Sequence, residues 1–278
     1  MDADALMRAL PLLLLLLVAA LGLAALLAQP WWLARRRAHL RALPFPAPWR
    51  RILRQRVPAV ARLPADLQRQ LKQHLLVFLA EKPFIGCAGL SLTDEVRVVV
   101  AAQACLLLLG QARPDYYPRL KEVLVYPGAF AVKDIQPQAG GVVHEQRQVL
   151  AGQSWARGQV ILAWAEVLAG AADPADGRNV VVHEFAHQVD QDKGLADGKP
   201  WRPTAGQRQR WAAVMGDALA RLQATPSALI SDYGATDAAE FFAVISELFF
   251  EQPQALAGEA PDVYRELALL YQLNPLAW

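Results

Sequence analysis

The stretch Asn179-Val180-Val181-Val182-His183-Glu184-Phe185-Ala186-His187-Gln188-Val189-Asp190 decides most of what this chain can be. His183 and His187 stand four residues apart, so on an α-helix they lie one above the other on a single face. Two neutral imidazoles so placed can chelate one metal ion, and a Glu directly after the first histidine is positioned to act as general base on a water molecule. This is the HExxH spacing of zinc peptidases. The apolar run before His183, together with Phe185, Ala186 and Val189, predicts a largely buried helix and a dry site. Two partly buried structural histidines are the bland alternative, and the Glu between them argues against it.

Catalytic zinc takes three protein ligands and leaves a position open. The five histidines are His39, His74, His144, His183 and His187, and none follows the motif. An extended motif with a third histidine would need Gly at 190 and His at 193, where the chain has Asp190 and Lys193. A downstream carboxylate is therefore expected. Glu240 is the first candidate, within Asp237-Ala-Ala-Glu-Phe-Phe-Ala-Val-Ile-Ser-Glu-Leu-Phe-Phe250. Glu240 and Glu247 share one face of this apolar helix, where a carboxylate is costly to bury unless paired or metal-bound. A capping box from Asp237 to Glu240 is a competing role. Glu247 is either the ligand itself or a partner that orients a histidine. Asp190, one turn past His187, is a further orienting candidate or a solvated helix end. His144-Glu145 begins like the motif but has Gln148 at the second histidine position, and is expected in a surface or strand-flanking segment.

Several spaced stretches carry a resemblance: Asn179–Asp190, Gly194, Asp197-Gly-Lys-Pro200, Val125-Tyr-Pro-Gly128, Gly141-Val-Val-His-Glu145, Trp155–Trp164, and Ser231-Asp-Tyr-Gly-Ala-Thr-Asp-Ala-Ala-Glu240 with Phe241–Phe250. From about Arg51 onward the chain resembles the Mlc titration factor A family of zinc-dependent peptidases. The resemblance implies a gluzincin-like fold with aminopeptidase activity. It implies zinc on His183, His187 and Glu240, and Glu184 as base. It also implies a second role, capture of a transcriptional repressor. Tyr233, seven residues before Glu240, resembles an active-site Tyr of the family. A phenol there can donate to a developing oxyanion, or it is a packing Tyr.

Ala9 to Ala28 is an unbroken apolar run of twenty residues. At about 1.5 Å per residue a helix of that length spans about 30 Å, one bilayer core. Trp31 and Trp32 follow, where interfacial aromatics belong. Residues 1–62 carry ten Arg against two Asp, leaving 18 basic against 24 acidic residues for the rest. Positive charge after the span predicts an N-out, C-in anchor in the inner (cytoplasmic) membrane, with the catalytic domain in the cytoplasm. A cleaved signal peptide would want a basic n-region and a shorter core. The arginines suit a topology signal on a solvated linker, with added attraction to anionic headgroups. Nucleic acid is not an expected partner, because the acidic remainder offers no basic face or binding motif. Cys87 and Cys105 make no disulfide framework.

The expected organisation is a transmembrane anchor over 1–34, a basic juxtamembrane linker over 35–62, and a zinc metallopeptidase domain over 63–278. The expected fold is α+β: helix-dominated and gluzincin-like with a small β-sheet, preceded by one N-terminal transmembrane helix. Helices are expected from Leu67 through Phe78, from Thr93 toward Leu109, over 206–223 and from Pro261. Strands are expected over Val123–Tyr126 and Gln159–Trp164. The alternative to a peptidase acting on peptide substrates is a regulatory binding protein that sequesters a repressor, with zinc structural or activity latent.

Overall fold

The computed structural model describes residues 3–111, 114–128, 130–137, 143–150, 152–155, 158–193 and 196–278. Over 3–13, 130–137, 143–150 and 152–155 it describes the backbone. Gly141 and Gly194 of the motifs quoted above lie outside the described residues. Two compact units are present, Met1–Pro44 and Phe45–Trp278.

The first unit is helix α1 (Ala3–Ala42), which runs past the apolar stretch and through Arg35–Arg37. Its segment Leu14–Ala42 is long and apolar enough to cross a membrane, a test that a signal sequence also passes.

The second unit is helix-dominated and begins at Phe45. Residues 45–62 are not a solvated linker: α2 (Ala47–Arg56) and α3 (Ala59–Arg62) are helical, and Leu53, Val57 and Val60 are buried. Arg56 pairs with Glu95 at 2.7 Å, and the Trp49 indole donates to Asp94 Oδ2 at 2.9 Å. Both acids stand in the first turn of the helix that begins at Asp94, where negative charge favours the helix N-terminus. The arginine-rich sequence hid this apolar stripe, because the i, i+4, i+7 spacing of Leu53, Val57 and Val60 is interrupted by Pro58.

The remaining elements follow in order. α4 (Ala65–Glu81) precedes β1 (Phe84–Gly86), and α5 (Asp94–Leu106) precedes β2 (Glu122–Tyr126). A hairpin of β3 (Phe130–Pro137) and β4 (Val143–Leu150) leads to β5 (Gly152–Trp155) and β6 (Gln159–Ala163). His144 and Glu145 thus lie within β4, not beside a strand. Then come α6 (Trp164–Ala172), α7 (Val180–Asp190), α8 (Ala205–Ala224), α9 (Ala238–Glu251), α10 (Pro253–Glu259) and α11 (Pro261–Tyr271).

The main sheet has the order β1-β2-β6-β5. β1, β2 and β6 are parallel, with Val123 opposite Val160 and Val125 opposite Leu162. Those four side chains are fully buried, as expected for parallel strands with both faces covered. β5 closes the far edge antiparallel to β6.

α7 and α9 are the central helices. The β-branched run Val180–Val182 is a mediocre helix former, so burial has to hold it. Val181, Val182, Phe185 and Ala186 are fully buried, and Phe185 stacks edge-on against Phe78 and Tyr117. Each large apolar side chain so buried contributes about 1.5–3 kcal/mol. α9 is apolar apart from the stripe of Glu240, Glu247 and Glu251, with Phe241, Phe242, Ala243, Ile245, Leu248 and Phe249 buried, the pattern of a helix enclosed by protein.

Candidate metal centre

Two N-caps set the rotation of the two central helices. The Asn179 side chain accepts from Val182 N at 3.0 Å and starts α7. Asp237 Oδ1 accepts from Ala239 N at 2.8 Å and Glu240 N at 3.0 Å and starts α9. Asp237 therefore caps alone. The Glu240 carboxylate does not return to the cap; it turns toward α7.

There it meets both histidines. Glu240 Oε2 lies 3.0 Å from His183 Nε2 and 3.5 Å from His187 Nε2, and the two Nε2 atoms are 3.3 Å apart. One donor atom from each of His183, His187 and Glu240 falls within a 4.8 Å cluster able to hold a metal ion. Glu247 approaches the opposite edge of the same imidazole, with Oε1 2.8 Å from His183 Nδ1. A carboxylate at Nδ1 holds a proton on that nitrogen, so that a metal ion bound at the cluster would take the place of the proton on Nε2. The other Glu247 oxygen accepts from Asn179 N at 2.5 Å, and the Asn179 amide donates to Glu251 Oε1 at 2.9 Å. Glu247 thus orients a histidine and does not join the cluster.

Glu184 is 1% exposed, and its Oε2 has no hydrogen-bond partner among the described residues. Burial pushes its pKa up to about 8, with His183 opposing the shift. Burial disfavours the charged form of His183, but hydrogen bonds to Glu240 and Glu247 outweigh it and lift the pKa to about 10. Burial likewise works against the Glu240 carboxylate, yet the bonds to His183 and His187 hold it well below the usual range. The whole cluster therefore favours positive charge at its centre.

A divalent cation fits this donor set. Two imidazole nitrogens face one another at 3.3 Å, and Glu240 Oε2 lies within 3.5 Å of both. His187 Nδ1 is buried without a partner among the described residues, and Nε2 is the nitrogen of His187 that faces His183 and Glu240. Two nitrogens and one oxygen are a donor set that zinc accepts.

Tyr233 sits beside the cluster, 54% exposed, with its ring 5.9 Å from that of His183. Burial and then the adjoining Glu240 raise its phenol pKa above the ordinary value, so it is a proton donor at neutral pH.

Asp190 is buried and serves a loop. Its Oδ2 accepts from Gly198 N at 2.6 Å, and the Trp211 indole donates to Gly198 O at 2.8 Å. Gly198 has φ +73° and lies against the Ala238 carbonyl, so a Cβ there would overlap the first turn of α9. Asp190 thereby braces the helix that presents Glu240. The roles of Asn179 and Glu251 escaped the sequence reading. An Asn directly before a helical run is an N-cap signal, but its bonds across to α9 have no local signature.

A buried helix carrying two histidines, faced by a carboxylate on a second helix, forms a candidate metal centre. The chain belongs to the glucose-regulated metallo-peptidase M90 family, whose description matches residues 31–272. It is 42% identical over 252 residues to an uncharacterized protein of Synechocystis sp., slr2042, covering 89% of this chain and 91% of that protein. It is 36% identical over 235 residues to Mlc titration factor A of Klebsiella pneumoniae, covering 82% and 87% of the two chains. Mlc titration factor A of Escherichia coli is 32% identical over 251 residues, covering 88% and 91%.

Proposed function

We propose that the protein is a membrane-anchored zinc peptidase of aminopeptidase type, with its catalytic unit in the cytoplasm. The observation that carries this reading is the convergence of His183, His187 and Glu240 beside the buried Glu184. Zinc held by those three side chains would polarise the scissile carbonyl and bring the pKa of water toward about 7. Glu184 takes a proton from the attacking water and hands it to the leaving amine. Tyr233 donates to the oxygen on which charge develops. Glu247 holds His183 in register from behind.

Aminopeptidase specificity rests on the resemblance, and the anchor on the apolar span of α1 with arginines after it. The test is hydrolysis of a panel of chromogenic aminoacyl and peptide substrates by the full chain in detergent, with Glu184→Gln and a chelator-treated sample as controls. Activity lost in both controls is the expected result. A zinc-loaded, folded chain that cleaves nothing on the panel would refute the peptidase assignment. Orientation is read separately: a periplasmic reporter fused after Trp278 is expected to be silent.

The names of the Klebsiella and Escherichia relatives favour a second activity, capture of a transcriptional repressor. Glu184→Gln separates the two, since hydrolysis needs the base and capture does not.

A further inference from the structure

The arginines that follow α1 are not alike. Arg56 is paired with Glu95, and Arg62 donates to the Pro174 carbonyl at 2.9 Å, so both belong to the fold. Arg54 and Lys72 have no hydrogen-bond or ion-pair partner among the described residues. Both line a cavity of about 520 Å³ formed by α2, α3 and α4. Its volume lies inside the roughly 300–1,000 Å³ range of small-molecule pockets. Leu53, Val57 and Val60 give it an apolar floor. Arg50 adds a third cation, and its guanidinium is held in place by bonds of 3.3 and 2.8 Å to the Phe45 carbonyl. No acidic residue is among the described residues that line it. Arg50 and Arg54 are four apart on α2, a like-charge spacing that destabilises a helix unless an anion lies between.

An apolar floor under a cationic rim matches an anionic head on an apolar body. We propose that this cavity binds an acidic phospholipid. Its phosphate would sit among Arg50, Arg54 and Lys72, and the first part of an acyl chain would lie along Leu53, Val57 and Val60. Arg50 is the preorganised member, since its orientation is already fixed. Only residues 43–46 separate α2 from α1 in the chain. In a chain anchored as proposed above, on which this step rests, bilayer lipid is the anionic amphiphile at highest effective concentration.

The test is native mass spectrometry of the full chain in mild detergent, titrated separately with phosphatidylglycerol, phosphatidylcholine and inorganic phosphate. The Arg54→Ala/Lys72→Ala double variant is measured alongside. Wild type is expected to take one saturable phosphatidylglycerol, to prefer it over phosphatidylcholine, and to retain it against millimolar phosphate. The double variant is expected to bind it about thirtyfold more weakly, consistent with two basic residues at an anionic surface. Equal affinity in the variant would overturn the proposal, as would equal binding of phosphatidylcholine. Displacement by phosphate would replace the lipid site with a simple anion site. If the alanine pair melts early, Arg54→Gln/Lys72→Gln is judged by the same criterion. The anchor is tested apart, by carbonate extraction of membranes holding the full chain. Release there refutes anchoring and leaves the lipid selectivity in detergent to stand or fall alone.

Discussion

Replacing Glu247 by Gln tests how the centre is held together. In the native chain its two oxygens serve two donors, His183 Nδ1 at 2.8 Å and Asn179 N at 2.5 Å. Gln keeps one acceptor oxygen and sets an NH₂ against the other donor. If the oxygen stays with Asn179 N, His183 loses its orienting carboxylate. If it stays with His183, the first turn of α7 loses a charge-assisted bond. Loss of an orienting partner costs about 10–100-fold in metal affinity, or about 1.4–2.7 kcal/mol at about 1.36 kcal/mol per decade. A lost charge-assisted bond costs about 1.5–3 kcal/mol. At roughly 2–4 °C per kcal/mol for a unit of this size, that lowers the metal-free melting temperature by roughly 3–12 °C. The expected result for Glu247→Gln is therefore weaker zinc binding by competition with a chromogenic chelator, a lower melting temperature without metal, or both. Zinc affinity within twofold of wild type together with an unchanged melting temperature would falsify the argument that one carboxylate braces both the ligand and the helix start.

Three further substitutions probe the surroundings. Tyr233→Phe is expected to lower kcat about 10²–10³-fold, the effect of removing one oxyanion donor, while zinc affinity by the same competition stays unchanged. Gly198→Ala is expected to destabilise by about 2–4 kcal/mol in denaturant unfolding, combining a left-handed backbone with overlap on Ala238. Glu251 has its pKa pushed up to about 8 by burial, with Asn179 opposing, against about 4.3 in an unfolded chain. Between those values the folded state holds a proton that the unfolded state has released, so stability falls as pH rises through that window. Glu251→Gln keeps an oxygen for Asn179 and removes the charge. It is expected to raise the melting temperature at pH 8.5 by roughly 2–12 °C, for a desolvation cost of about 1–3 kcal/mol, and to change little at pH 4.5.

What could be read along the chain was local. The four-residue spacing of His183 and His187 needs only helical geometry, and the strands at 122–126 and 159–163 announce themselves by short β-branched runs. α4, α5, α8 and α11 follow from apolar spacing and from caps such as Thr93. The choice between ligand and cap for Glu240 was not legible, because it depends on where α7 lies. Position N3 of α9 satisfies both roles in sequence, and the packed helix pair turns the carboxylate toward the histidines. The division between Glu240 and Glu247 is likewise tertiary: the two grip opposite edges of one ring. The packing of residues 45–62 was not legible because proline and arginine are frequent there, and the three buried apolar side chains among them form no uninterrupted period.

The burial of Glu184 has a consequence for lineages. On the peptidase reading proposed above, a carboxylate buried this deeply is a standing cost to stability, retained while hydrolysis is under selection. A descendant released from that selection would gain robustness by drifting to Gln or an apolar residue at 184. The Asn179–Glu247–His183 linkage would persist in the same descendant, because it holds two helices together whether or not anything is cleaved. Among sequences descended from this one, the residue at 184 would therefore tell working catalysts from chains that have retired into pure recognition, while the neighbouring histidines would look the same in both.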